Sequence, residues 1–508
     1  MPTLKLKVPI SLTLQEKLLI KVFKFSQIPF PQTNLVPPIV HDLLKEEDLN
    51  FNKTTDRKLL VSTLQEQYKG LQTEKFVEEN ISSLLNENTF TVTTGHQLCL
   101  FGGPAYFIYK IISTIKTAKI YSAKYPGKKF VPVFWLASED HDFEEVNHLY
   151  LFNKKIEWNK EAKGAVGRLN TEGLEEVLQQ IKALVGDNDI FEEAIKEKNL
   201  SEFTRCWLNK VFGKYGLVII DADDKELKRS FSSVIEKEFK EKVGKREVEK
   251  TNLELEKKYK IQVNPREINF FFLDHEIRER FLENDDRNWP QLLKEAPEKF
   301  SPNVIYRPLY QEFVLPNVAY IGGPNELAYW FQLKGVFAAQ NIPYPQLILR
   351  DSFLFISANQ RKTMQALGLN PTALFQAAEQ LKNQYLQSKT EFNNAAYQKQ
   401  IEAVYTQLKA EVVKVDGSLE GTVEAEKVKA LNALEGLISR IKKAEKSRHE
   451  IDLNKIEKLK NQIFPGGIFQ ERRVNFLEFY AKYSQNYFDV LLENANPQNS
   501  CLKVLEEE

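Results

Sequence analysis

Net charge is missing from this chain of 508 residues: Lys and Arg together number 70, and so do Asp and Glu. The balance removes the electrostatic case for nucleic acid or a membrane surface as partner, since both are polyanions met first by a basic excess. Cysteine is scarce. Cys99, Cys206 and Cys501 lie far apart with no CxxC pair, which excludes a cysteine-rich zinc module and suits a reducing compartment. No apolar run reaches the length of a membrane span, and Met1 to Lys7 holds no apolar signal core, so a soluble cytoplasmic protein is expected. Walker A, GxGxxG and kinase signatures are all absent. Histidine is rare too, yet three of the six (His96, His141 and His148) fall between Thr91 and His148.

Apolar residues make up 42% of the chain, with 34 Phe and 19 Tyr. This is ample for buried cores, and the length predicts two or three domains. An extended, Pro-rich stretch is expected around Pro31 and Pro37. Thr89 to Thr94 is β-branched and aromatic and stops at Gly95, as a buried strand entering a turn does. Pro104 follows Gly102-Gly103 and suits the first turn of a helix running toward Ile120. Phe130 to Ala137 is continuously apolar, the mark of a parallel strand covered on both faces. Tyr215–Asp221, Val304–Arg307 and Pro345–Arg350 also read as strands, and a second Gly-Gly-Pro turn stands at Gly322-Gly323-Pro324. The fold class is therefore α/β with a parallel sheet.

From about Thr372 to Leu459 the pattern becomes helical, with Ile401, Val404, Tyr405 and Leu408 on one face and Val428, Leu431, Leu434, Ile438 and Ile441 on another. Asp416 to Gly421 breaks it into two stretches of roughly forty residues, an antiparallel coiled-coil hairpin with arms of about 60 Å. The expected division is a core at 1–365 with inserted helical segments at roughly 151–300, the hairpin at 366–462, and a C-terminal segment at 463–508. That last segment packs its aromatic face (Phe476, Phe479, Tyr480, Tyr483, Tyr487, Phe488) back on the core.

The chemistry concentrates where β-strands end. Asp140, His141 and Asp142 follow directly on a buried strand, and carboxylates beside a histidine suit general acid–base work. His96 stands one residue past the first glycine. The two Gly-Gly-Pro turns would place helix N-termini in the core, so Gly95, Gly102, Gly103, Gly322 and Gly323 are candidate anion or nucleotide contacts. Gln97, Tyr109, Lys110, Trp135, Glu144, Arg307, Asn325 and Glu326 are candidate substrate contacts. Arg350 and Asp351, at a predicted strand end, offer charge for a carboxylate or phosphate. Cys99 reads as a small core hydrophobe. His141 and His148 are seven apart rather than at zinc-helix spacing, so no metal site is assigned.

Several runs resemble a known family, the bacillithiol biosynthesis cysteine-adding enzymes (BshC). They are Thr93-Thr94-Gly95-His96-Gln97, Leu100-Phe101-Gly102-Gly103-Pro104 and Val131 to Glu145, with Arg307-Pro308, Tyr320 to Pro324, and Gln470-Glu471-Arg472. The resemblance implies a Rossmann-like core with connecting-peptide insertions, similar to class I aminoacyl-tRNA synthetases, and a coiled coil that makes a homodimer. It implies a ligase that joins the cysteine carboxyl to the amine of glucosaminyl-malate. Amide formation needs an activated carboxyl, hence ATP with magnesium, through an adenylate or an acyl phosphate. In that scheme Asp140 or His141 deprotonates the sugar ammonium, Asp142 orients His141, His96 and the first glycine turn hold anions, and Glu326 binds an amine. Two other readings stand beside it. One is a non-catalytic nucleotide-binding assembly protein acting through its coiled coil; the other is a metal-dependent hydrolase using Asp140, His141, Asp142 and His148.

Overall fold

A computed structural model describes residues 23–28, 55–389, 394–499 and 501–508; the stretch around Pro31 and Pro37 lies outside them. The chain forms two compact units. One runs through Phe355 and includes Ile468–Glu506, and the other comprises Ile356–Gly467.

The first unit is built on a five-stranded sheet: β1 (Thr89–His96), β2 (Lys129–Leu136), β3 (Val218–Asp221), β4 (Asn317–Gly322) and β5 (Gln346–Leu349), in the order β5-β4-β1-β2-β3. Every pairing is parallel. The long apolar and β-branched runs of β1 and β2 are buried almost end to end, as strands covered on both faces must be. His96 lies opposite Leu136, and Leu136 opposite Asp221, so three strands finish level. The chain lays β2 and β3 on one side of β1, then β4 and β5 on the other. Strand order thus reverses between β1 and β4, and a crevice opens beyond the strand ends at such a switch point.

Three helices frame that crevice: α1 (Tyr106–Lys124), α2 (Tyr306–Val314) and α3 (Pro324–Gln332). The Val304–Arg307 run is not a strand. Asn303 accepts the N–H groups of Ile305 (2.9 Å) and Tyr306 (3.3 Å) and turns the chain into α2, because an apolar run this short does not distinguish strand from helix. The first helix also begins later than Pro104. Leu100–Gly102 is a 3₁₀ turn with Phe101 at φ 46°, and α1 starts at Tyr106. The C-terminal segment clamps this turn: Asn475 Nδ2 donates to the carbonyls of Phe101 (3.1 Å) and Gly103 (2.7 Å). Its aromatic face packs in the same unit, with Phe476 stacked on Trp207 and Phe479 on Phe355.

The insertion carries a short antiparallel hairpin, Phe270–Asp274 with Ile277–Arg280, and the first of these also pairs with Phe300–Pro302. In the second unit the described helices are Ala378–Lys389, Asn394–Val415, Glu420–Arg448 and Glu450–Ile463, so the second of the two arms expected from the periodicity is interrupted. The longest has 29 residues, about 44 Å, and ends at His449, whose φ of −104° and ψ of 14° leave the helical range. No helix among the described residues is long and apolar enough to cross a membrane.

Candidate active site

A cavity of about 640 Å³ lies beyond the ends of β1, β2 and β4, within the size range of small-molecule sites. Gly95, His96, Trp135 and Tyr320 form its floor. Glu139 and Asp140 make one wall, Arg307, Glu326 and Tyr329 another, and the insertion covers it with Arg266, Phe271, Arg278 and Arg280.

At the end of β1, Gly95 sits in close quarters: a Cβ there would lie 3.3 Å from the Trp135 carbonyl oxygen and 3.5 Å from an Arg307 nitrogen. His96 turns its ring between Tyr106 and Phe107. Nδ1 lies 3.1 Å from the Gln97 carbonyl and Nε2 lies 3.3 Å from the Tyr106 hydroxyl. Burial, reinforced by the nearby Lys110 cation, pushes the imidazole down to about 4, so it stays neutral near pH 7. Lys110 is not the solvated lysine that an amphipathic helix suggests. It is 1% exposed, donates to the Gly95 carbonyl, and forms an ion pair with Glu326 at 2.7 Å. Burial lowers its affinity for a proton and Glu326 opposes this. Glu326, which burial alone would raise, is held below the ordinary range by Lys110 and His96 and by the Gly323 N–H. This pair ties the end of β1 to the first turn of α3.

The cluster after β2 divides its tasks. Ser138 donates to Asp221, and Glu139 is buried in an ion pair with Lys228 (2.6 Å), which also pairs with Asp223 (2.9 Å). Burial raises the Glu139 carboxyl, with Lys228 opposing. Asp140 accepts from Gln97 Nε2 (2.7 Å) and from the backbone N–H groups of His141 (2.7 Å) and Asp142 (3.3 Å). Burial would raise its carboxyl, but these donors, with Arg278 nearby, leave it below the ordinary range. Asp140 is thus a better anchor for a cation than a proton acceptor. His141 is half-exposed, and its Nδ1 accepts from Arg278 at 2.8 Å. Asp142 does not orient His141, because its carboxylate caps the short helix Phe143–Val146 through the Glu145 N–H (3.2 Å).

Of the residues expected from sequence, Gly95, His96, Gln97, Trp135, Asp140, Arg307 and Glu326 meet at the cavity. Lys110 stands directly behind it, and His141 is joined to it by Arg278. Others lie elsewhere. Tyr109 is buried against Phe353, Asn325 is exposed on α3, and Glu144 lies in a separate shallow groove beside His141 and Asp142. The Gly-Gly-Pro turns offer no anion cradle. The N–H groups of Gly102 and Gly103 are engaged by the carbonyls of Cys99 (3.1 Å) and Leu100 (2.9 Å). Leu327 packs on Gly322, and the Gly323 N–H is taken by Glu326. The donors left over are different ones: among the described residues, the buried Trp135 Nε1 and the Arg307 Nη2 beside the Tyr320 and Tyr329 hydroxyls line the cavity without a well-formed hydrogen-bond partner, as donors that meet a ligand oxygen do.

Arg350 and Asp351 are structural. Arg350 forms a two-pronged pair with Glu471 (2.7 and 3.1 Å), and Asp351 pairs with Lys503 (2.7 Å). Burial pushes the Cys99 thiol up to about 12, so it packs as a small hydrophobe. No three His, Cys, Asp or Glu side chains among the described residues converge as metal ligands would; His148 contacts Asn147 and Tyr150 instead.

Sequence reasoning missed Glu139, Lys228 and the three insertion arginines. It also missed a buried chain in which Arg307 donates to Gln311 (3.1 Å), Gln311 to Glu312 (2.7 Å) and Asn317 to Glu312 (2.9 Å). Burial pushes Glu312 up to about 8. The strand end before Ser138 marked Glu139, while nothing in a charged, helical insertion singles out Arg266, Arg278 or Arg280.

Comparison with known proteins accounts for nearly the whole chain. Residues 41–351 match the family model for the bacillithiol biosynthesis BshC N-terminal Rossmann-like domain, and residues 353–507 that for the BshC C-terminal coiled-coil domain. A relative from Flavobacterium johnsoniae is 42% identical over 477 residues, covering 89% of this chain and 90% of its own. One from Christiangramia forsetii is 39% identical over 528 residues, covering 94% and 98%. One from Bacillus mycoides is 28% identical over 496 residues, covering 90% of each. All three carry the name "Putative cysteine ligase BshC".

Proposed function

The chain belongs to the BshC family, with a Rossmann-like domain followed by a coiled-coil domain, and on that premise we propose that it is a cysteine ligase of bacillithiol synthesis. The reaction joins the carboxyl of cysteine to the amine of glucosaminyl-malate. The observation that carries this reading is the polarity of the cavity, where carboxylates (Asp140, Glu139, Glu326) face guanidinium and indole donors (Arg307, Trp135, Arg266, Arg280) across one space. An amine-bearing, carboxylate-bearing pair of substrates needs such a site.

Asp140, kept ionised by its three donors, and Glu326 hold the ammonium groups. The attacking amine must lose a proton, and His141, joined to the cavity through Arg278, is the acceptor once Arg278 leaves its Nδ1. Arg307 and Trp135 direct their free N–H groups at the oxygen that gains charge as the amide forms, where preorganised donors matter most. A carboxylate does not condense with an amine unaided at neutral pH, so the cysteine carboxyl would be activated by ATP with magnesium, the amine then displacing AMP where pyrophosphate had left first, or phosphate where ADP had left first. The Gly-Gly-Pro turns take no part in holding the nucleotide, since their N–H groups are engaged. A homodimer through the helical hairpin is supported by Val404, Leu408, Val428 and Leu437, apolar side chains left exposed on its helices. The non-catalytic assembly reading does not explain the unpartnered donors in the cavity.

The test is product formation by the His141→Ala protein. Turnover is expected to fall by about 10²- to 10⁴-fold, the scale of a lost acid–base group, with an unchanged circular dichroism spectrum. Unchanged turnover would remove His141 from the reaction.

A further inference from the structure

The insertion brings to the cavity a group of charges that the core motifs lack. Side chains alternate along a strand, so Arg278 and Arg280 in Ile277–Arg280 share one face, and both line the cavity with Arg266. The guanidinium groups of Arg266 and Arg280 make no hydrogen bond or ion pair among the described residues. The acids around them are engaged elsewhere: Glu267 pairs with Lys245 and Lys242, Glu279 with Arg287 (2.6 Å), and Glu283 with Lys242. Arg278 lies 3.9 Å over the Phe271 ring and donates to the Nδ1 of His141. Its other nitrogens reach Ser301 Oγ (3.3 Å) and the Pro302 carbonyl (3.5 Å), so its position is fixed; Glu139 and Asp140 stand nearby, but no carboxylate among the described residues pairs with its fork.

We infer that Arg266, Arg278 and Arg280 form the specificity subsite for a pair of carboxylates on one small substrate. The inference rests on the ligase reading above and deepens it by naming the residues that select the acceptor. A guanidinium fork matches a planar carboxylate with two parallel hydrogen bonds, and two uncommitted forks beside a third suit two carboxylates on neighbouring carbons. A nucleotide polyphosphate suits this place less well, because it is held mainly by backbone N–H cradles. A carboxylate that takes Arg278 also withdraws the donor from His141 Nδ1, so filling the subsite frees the proton acceptor.

Calorimetric titration of the full-length protein tests this with succinate and butyrate, probes of equal carbon number carrying two carboxylates and one. Succinate is expected to bind about tenfold more tightly than butyrate. Arg266→Gln and Arg280→Gln should each lose about tenfold in succinate affinity. Ile277→Thr, exposed at the hairpin tip, should retain it. Equal binding of the two probes, or succinate affinity unchanged in both arginine variants, would overturn the inference. So would loss of inorganic triphosphate binding in those variants with succinate binding retained. Succinate binding in the expected pattern, from protein that forms no amide, would leave the subsite standing and remove the ligase reading.

Discussion

His96 illustrates at the scale of a residue how burial decides chemistry. The same imidazole on a surface would titrate near its ordinary 6.5, whereas here burial and Lys110 push it down to about 4. The unfolded chain therefore binds a proton at this position that the folded chain refuses. Between those two values stability must decline as pH falls, and the loss is complete below the lower one. Urea unfolding across pH 7 to 4 should show that decline, and His96→Gln should make it shallower; equal slopes would mean that the imidazole is protonated in the fold. At this scale the sequence was legible only in part. A histidine after a glycine turn and a carboxylate after a buried strand announce themselves by position, as His96 and Asp140 do. Lys110 was expected as a substrate contact, but its burial and its pairing with Glu326 were not legible, because a lysine inside an amphipathic helix looks solvated until a distant carboxylate is folded against it. Arg278 and Arg280 sit in a segment whose charge reads as ordinary surface.

Among the elements, the first Gly-Gly-Pro turn owes its glycines to packing rather than to a ligand. Gly102 adopts φ +81°, and a Cβ there would come within 2.8 Å of Phe476, on the C-terminal segment that clamps the turn. Gly127 adopts nearly the same φ, +82°, with nothing near a Cβ. Gly127→Ala should therefore lose only backbone strain, about 1 kcal/mol, while Gly102→Ala should lose about 1–3 kcal/mol more through overpacking. Thermal unfolding of the two variants checks this, and equal losses would show that the Phe476 contact yields freely. The strands β1, β2, β3 and β5 could be read from sequence because continuous apolarity has a single explanation, burial on both faces, whereas β4, which opens on Asn317, was read only as the approach to a Gly-Gly-Pro turn. Val304–Arg307 misled because four residues hold too little period, and the Asn303 side chain settles the matter locally. The second hairpin arm was overestimated because periodicity does not see a single residue such as His449 leaving helical geometry.

In the whole molecule, the sheet supplies position and the insertion supplies selectivity. Parallel strands that end level bring the turn of β1, the acidic cluster after β2 and the first turn of α3 to one crevice, although more than two hundred residues separate the first from the last. The sequence made much of that convergence readable, since the turn of β1 and the acidic cluster after β2 each follow a recognisable strand, while the first turn of α3 was marked only by its Gly-Gly-Pro turn. It did not reveal the cover, because which loop folds over a crevice depends on contacts between distant segments. Mass spectrometry on the purified full-length protein, incubated with cysteine, glucosaminyl-malate, ATP and magnesium, tests the central claim most directly. The expected result is bacillithiol formed only when all components are present, with AMP marking an adenylate or ADP an acyl phosphate. Recovery of cysteine and glucosaminyl-malate unchanged, from protein shown to be folded, would contradict it.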